Sequence, residues 1–207
     1  MNLKPLIWLV LALALAPVSA LTEETPYEVV QVTANELANR IDGRQAHLEE
    51  NPEELYGLID EVLLPRFDTR YAGYLVLGKK HWRSASDEQR AQFIDAFYQF
   101  LLRSYAKAVL EFDQDKIKVI SPKDTPDTKR AIVKTEMRLN DGSQVPVNYS
   151  LRNTDAGWKA YDVRIEGVSY VQNYRNQFDA EISAKGIDAV IERLENETAA
   201  KEIAQSD

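Results

Sequence analysis

The apolar residues of this chain change period near Asp115, from helical spacing to strict alternation, and that single change selects the class of fold. A helix face needs an apolar side chain every three or four residues, and a half-buried strand needs one every second residue. Ile117 and Val119 alternate with lysines. Ala131, Val133, Thr135, Met137 and Leu139 alternate with Arg130, Lys134, Glu136 and Arg138, and Val145, Val147, Tyr149 and Leu151 follow the same rule. Tyr161, Val163 and Ile165 predict the inward face of a further strand. Asp141-Gly142 and Asp155-Ala156-Gly157 are turn signals that join these strands into a meander. The helical period returns from Ser169 with Val171, Tyr174, Phe178 and Ile182. A last helix, Ile187 to Leu194, precedes a polar tail, residues 199–207, expected to fray.

The first half carries the start signals of helices. Thr25-Pro26-Tyr27-Glu28 joins a capping box to a proline at the first helical position, and Val29, Val32, Leu37 and Ile41 form the stripe behind it. Asn51-Pro52-Glu53-Glu54 repeats the signal ahead of Leu55, Leu58, Ile59, Val62 and Leu63. Asp68 caps a short helix bearing Tyr71, Tyr74, Leu75 and Leu77, which Gly78 closes. Ser86-Asp87-Glu88-Gln89 is a second capping box and opens the longest helix, to about Phe112. Helices, then about four antiparallel strands, then helices again describe an α+β single domain with a helical layer on one sheet.

Residues 1–20 are read as a signal peptide. Lys4 supplies the positive start, Leu6 to Ala16 is an apolar run of eleven residues, and Val18-Ser19-Ala20 places small residues at the cleavage site. A spanning helix needs about twenty apolar residues. The chain has no cysteine, so neither a lipidated cysteine nor a disulfide is available to it. The expectation is cleavage after Ala20, export, a folded domain over 21–198 and the tail beyond. Loss of Lys4 takes the net charge from −8 to −9, which disfavours nucleic acid as a partner.

Residues able to do chemistry are few. His47 and His81 lack a second ligand at metal spacing, and both are read as solvated or partner-facing. Gly73 to Lys80 approaches a phosphate-loop pattern but has Lys80 where a magnesium-binding hydroxyl is required. The carboxylates fall at helix starts and on solvated faces. The expectation is a protein without catalytic residues, metal or cofactor. The surplus lies in apolar side chains: the long helix presents Phe93, Phe97, Phe100, Leu101, Tyr105 and others over an arc wider than an ordinary amphipathic stripe. A filled core and a lined internal cavity both satisfy that pattern.

The segment Gly78 to Ala106 resembles the MlaC family, also known as the toluene-tolerance auxiliary proteins, through Trp82, Arg83, Gln89, Phe93, Phe97, Leu101 and Tyr105. A second block is similar to the same family: Asp141-Gly142, Val145-Pro146-Val147, Tyr149, Trp158 to Val163, Glu166 to Ser169, Tyr174-Arg175 and Gln177-Phe178. The resemblance implies a curved, mostly antiparallel sheet under helices, related to the NTF2-like cone. It implies a monomeric periplasmic carrier with phospholipid as cargo, serving an inner-membrane MCE-protein ABC transporter and an outer-membrane lipoprotein/porin complex, so that lipid asymmetry is kept. The lipid-lining residues it suggests are Leu63, Phe67, Tyr71, Leu75, Phe93, Phe97, Leu101, Tyr105, Val133, Val147, Tyr149, Val163, Tyr174 and Phe178. Lys79, Lys80 and Arg83 would meet a headgroup or a partner. An envelope adaptor with a packed core and an NTF2-like enzyme are the alternatives.

Overall fold

The computed structural model describes residues 24–110, 117–120, 129–138 and 142–206. The proposed signal peptide, Leu139, Asp141, Phe112 and Asp207 lie outside them. Five helices come first: α1 (Pro26–Ile41), α2 (Gln45–Glu50), α3 (Pro52–Leu63), α4 (Thr69–Ser84) and α5 (Asp87–Leu110). Then follow β1 (Ile117–Ile120), β2 (Arg130–Arg138), β3 (Gln144–Thr154), β4 (Gly157–Ile165) and β5 (Val168–Ser169), and finally α6 (Tyr170–Lys185) and α7 (Ile187–Ser206).

The capping signals act as expected at three starts. Thr25 and Glu28 exchange hydrogen bonds across the first turn of α1, Asp68 accepts from the Tyr71 amide, and Ser86 and Gln89 form the reciprocal box before α5. Asn51 behaves differently: its side chain donates to the His47 carbonyl and leaves the α3 amides uncapped. Gly78 does not end α4. It sits at φ +68 as a kink inside the helix, and the chain resumes helical geometry to Ser84. The far end of α7 likewise passes the Leu194 limit that apolar spacing predicts. Arg193 and Glu197 pair at i,i+4, and Thr198 bonds to the Leu194 carbonyl.

The sheet is antiparallel throughout in the order β1-β2-β3-β4-β5, and it is open, with β1 and β5 at its edges. The fifth strand, two residues long, was too short to leave an alternating signal. On β2 and β3 the expected inward residues share one face and pair across it, Val133 with Tyr149 and Thr135 with Val147. On β4 Val163 and Ile165 keep the expected inward face, opposite Tyr149 and Val147, but a register shift at Ser150/Leu151 leaves Tyr161 unpaired and turns the buried Ala160 and Trp158 to that same face. An extra residue reverses the alternation of everything before it and bends the strand.

Three apolar clusters hold the layers. Val29 and Val30 of α1 pack on Val119, Val133, Leu151, Trp158 and Ala160 of the sheet. Leu37 and Ile41 meet Leu48, Leu58, Ile59 and Leu102 between α1, α2, α3 and α5. Val76, Phe93, Phe97, Phe178, Val190 and Leu194 join α4 to α5, α6 and α7.

Candidate functional site

The fourteen suggested lining residues separate into distinct neighbourhoods. Phe93, Phe97, Tyr174 and Phe178 form one aromatic block between α5 and α6. Phe93 and Phe178 meet edge-to-face at 5.6 Å, Phe97 and Tyr174 at 4.9 Å, and Tyr174 stacks on Phe178 at 5.6 Å. Each such pair contributes about 0.5–1.5 kcal/mol beyond burial. Phe93 is 0% and Phe178 1% exposed. Leu101 flanks the block, and Tyr105 extends it outward, its hydroxyl 3.2 Å from that of Tyr174.

The sheet residues form a second group. Val133, Tyr149 and Val163 stand side by side on β2, β3 and β4, and Val147 occupies the next row with Thr135 and Ile165. Thr135 is buried and satisfied, its hydroxyl donating to the Val147 carbonyl at 2.6 Å. Burial pushes the Tyr149 hydroxyl up to about 12, because desolvation disfavours the charged phenolate. Phe67 packs at the margin of this group and bridges to Ala160. Tyr174 also titrates well above the ordinary range, first through burial and then through the Tyr105 hydroxyl.

Three suggested residues lie away from both groups. Leu63 packs with the α1–α3–α5 cluster. Tyr71 receives a hydrogen bond from Arg130, lies under Arg152 at 4.5 Å and touches Tyr161 edge-on. Leu75 lines a pocket of about 510 Å³ beside the start of α6, with Arg164, Asn173, Arg175 and Asn176 among its walls. That polar lining does not suit an acyl chain.

Lys79, Lys80 and Arg83 are exposed on the part of α4 beyond the kink, where Lys80 donates to Ser183. His81 differs from its expected solvated setting: it is 5% exposed, and its Nε2 lies 2.7 Å from Asp179 Oδ1 of α6. Helical rotation after Gly78 turns it inward, which residue spacing across a presumed helix end could not show. Sequence reasoning also missed Tyr170, whose ring meets Tyr105 at 5.6 Å. The i,i+4 series Tyr170, Tyr174, Phe178 carried that signal. Asp162 had none, since its role depends on the bulge. It accepts from Ser169 Oγ and the Val171 amide and anchors the start of α6.

The described residues define an α+β domain, a helical layer on an open antiparallel sheet with a dense aromatic block between α5 and α6. The chain belongs to the MlaC family, whose model, described as MlaC protein, matches residues 31–196. It is 30% identical over 180 residues to the toluene tolerance protein ttg2D of Pseudomonas putida, covering 87% of this chain and 83% of that protein. It is 27% identical over 180 residues to the intermembrane phospholipid transport system binding protein MlaC of Haemophilus influenzae, with 86% and 84% covered. Among solved structures it is similar to a phospholipid-binding protein from Ralstonia solanacearum in complex with a phospholipid. The TM-score is 0.77 at 25% identity, with 86% of this chain and 99% of that one aligned.

Proposed function

We propose that this chain is a soluble phospholipid carrier of the bacterial periplasm, exported by residues 1–20. In this reading it moves lipid between an outer-membrane lipoprotein/porin complex and an inner-membrane MCE-protein ABC transporter, and performs no catalysis. The observation that carries the reading is the shared fold, over most of both chains, with a protein whose structure contains a phospholipid. The acyl chains are assigned to the space between the inward sheet row Val133–Tyr149–Val163, with Val147, and the helical residues Leu101, Tyr105 and Tyr174. Phe93 and Phe178, buried within the aromatic block, support that wall from behind.

The energetics fit a carrier. A diacyl lipid of about 30 methylenes removes on the order of 20 kcal/mol of apolar surface from water, at about 0.8 per methylene. A bilayer offers the same burial, so exchange between membrane and protein is near neutral, and direction is left to the partners. Native mass spectrometry of the purified protein, followed by organic extraction, tests the reading. Near-stoichiometric phospholipid is the expected result. Repeated lipid-free preparations that take up no phospholipid from vesicles would reject it.

A further inference from the structure

The outward face of the sheet reverses the charge of the chain. The protein has 25 Lys and Arg against 33 Asp and Glu. Yet the register puts Lys118, Arg130, Lys134, Arg138, Arg152, Lys159 and Arg164 on the side of the sheet opposite Val133 and Val147. The carboxylates sharing that side are Glu136 and Asp162, and Asp162 is buried against the start of α6. Arg152 is engaged by Asp68, Arg130 by Tyr71, and Arg164 stands 3.5 Å from Asp162 while staying exposed. Lys118, Lys134 and Arg138 are exposed.

Two further features accompany the cations. Ile132, between Arg130 and Lys134 and on their side of β2, is 59% exposed. Arg164, in one row with Lys134 and Asn148, leads to the groove of about 510 Å³ that Arg175 and the 58%-exposed Val168 also line. A basic field with an apolar contact at its centre and a groove at its rim has the anatomy of a protein interface. A bilayer surface fits less well. It fills no groove, and the chain's net −8 opposes an anionic membrane.

We propose that the outward face of the sheet, centred on Ile132, Lys134 and Arg164, is a docking surface for an acidic protein partner. Guanidinium forks and ammonium groups there meet Asp and Glu side chains, and the groove beside Arg175 receives one partner side chain. The proposal stands apart from the lipid reading, because none of these residues belongs to the assigned acyl site.

Fluorescence anisotropy with a labelled peptide of alternating glutamate and leucine tests it on the full mature chain. Binding that weakens with added salt is expected, and K134E/R164E should reduce the affinity by about tenfold or more. The control K107E/K185E makes the same charge change on α5 and α6 and should leave binding intact. K118E/K134E provides a second variant if Arg164 proves necessary for folding by near-ultraviolet circular dichroism. Absence of peptide binding, or equal loss in the control, overturns the proposal. So does sedimentation with phosphatidylglycerol vesicles that the variant abolishes while the peptide stays unbound, or self-association of the protein that the variant removes.

Discussion

His81 Nε2 and Asp179 Oδ1 stand 2.7 Å apart, joining the part of α4 beyond Gly78 to the middle of α6. The imidazole is buried and the carboxylate reaches solvent, so the contact lets a polar group sit inside the helical layer with its partner at the rim. Asp179→Ala removes the partner and leaves a buried ring nitrogen unpaired. The expected cost is about 1–2 kcal/mol in urea unfolding, with the native circular dichroism retained.

Gly78 holds the kink at φ +68, and a Cβ there would stand 3.1 Å from the Arg175 guanidinium. Gly78→Ala therefore meets backbone strain before it meets the arginine, which can move. A loss of about 1–2 kcal/mol is expected in thermal or denaturant unfolding. An unchanged midpoint would show that α4 straightens without penalty.

The aromatic block predicts a large effect from one truncation. Phe178 touches Phe93, Phe97 and Tyr174 and has Arg193 over its face at 5.7 Å. Phe178→Ala should cost about 3–5 kcal/mol, since the surrounding helices can close the cavity only in part. Phe178→Leu should recover most of that, measured by equilibrium unfolding.

Alkaline pH gives a further check. The Tyr149 hydroxyl is raised to about 12 in the folded protein, against 10.0 in its ordinary state. Both states are protonated below 10, and the contribution is then fully present. As pH rises from about 10 toward 12 the unfolded chain ionises first, so stability falls. Tyr149→Phe should flatten that part of the profile, and absorbance at the tyrosinate band should rise late in the folded wild type.

Lipid loading can be separated from folding at Val147, buried on the inward face of the sheet. Val147→Asp should lower co-purifying phospholipid while Val32→Asp, on the exposed side of α1, leaves it unchanged. Extraction and mass spectrometry of both variants, after confirming native near-ultraviolet spectra, decide between them.

Much of the architecture was legible because it rests on neighbours in sequence. Thr25, Asp68 and Ser86 cap helices through bonds that span three residues, and Val133, Val147 and Leu151 face inward because alternation is a property of the strand itself. On β4 the inward Trp158 and Ala160 were not legible because one unpaired residue, Tyr161, is invisible to periodicity and shifts the alternation before it. The candidate lining was read as one surface, whereas Tyr71 and Leu75 belong to the neighbourhood of Arg152 and Arg175. Leu63 belongs to a third cluster.

The change of period near Asp115 determined by itself that helices would flank an antiparallel meander, since each period is dictated by local backbone geometry. Tertiary structure alone decided which aromatic rings meet, that His81 turns inward past a glycine kink, and that seven cations gather on one side of the sheet of an acidic chain. Those outcomes depend on strand register and helix rotation. Both are set by contacts between residues far apart in sequence, where a shift of one position exchanges buried for exposed.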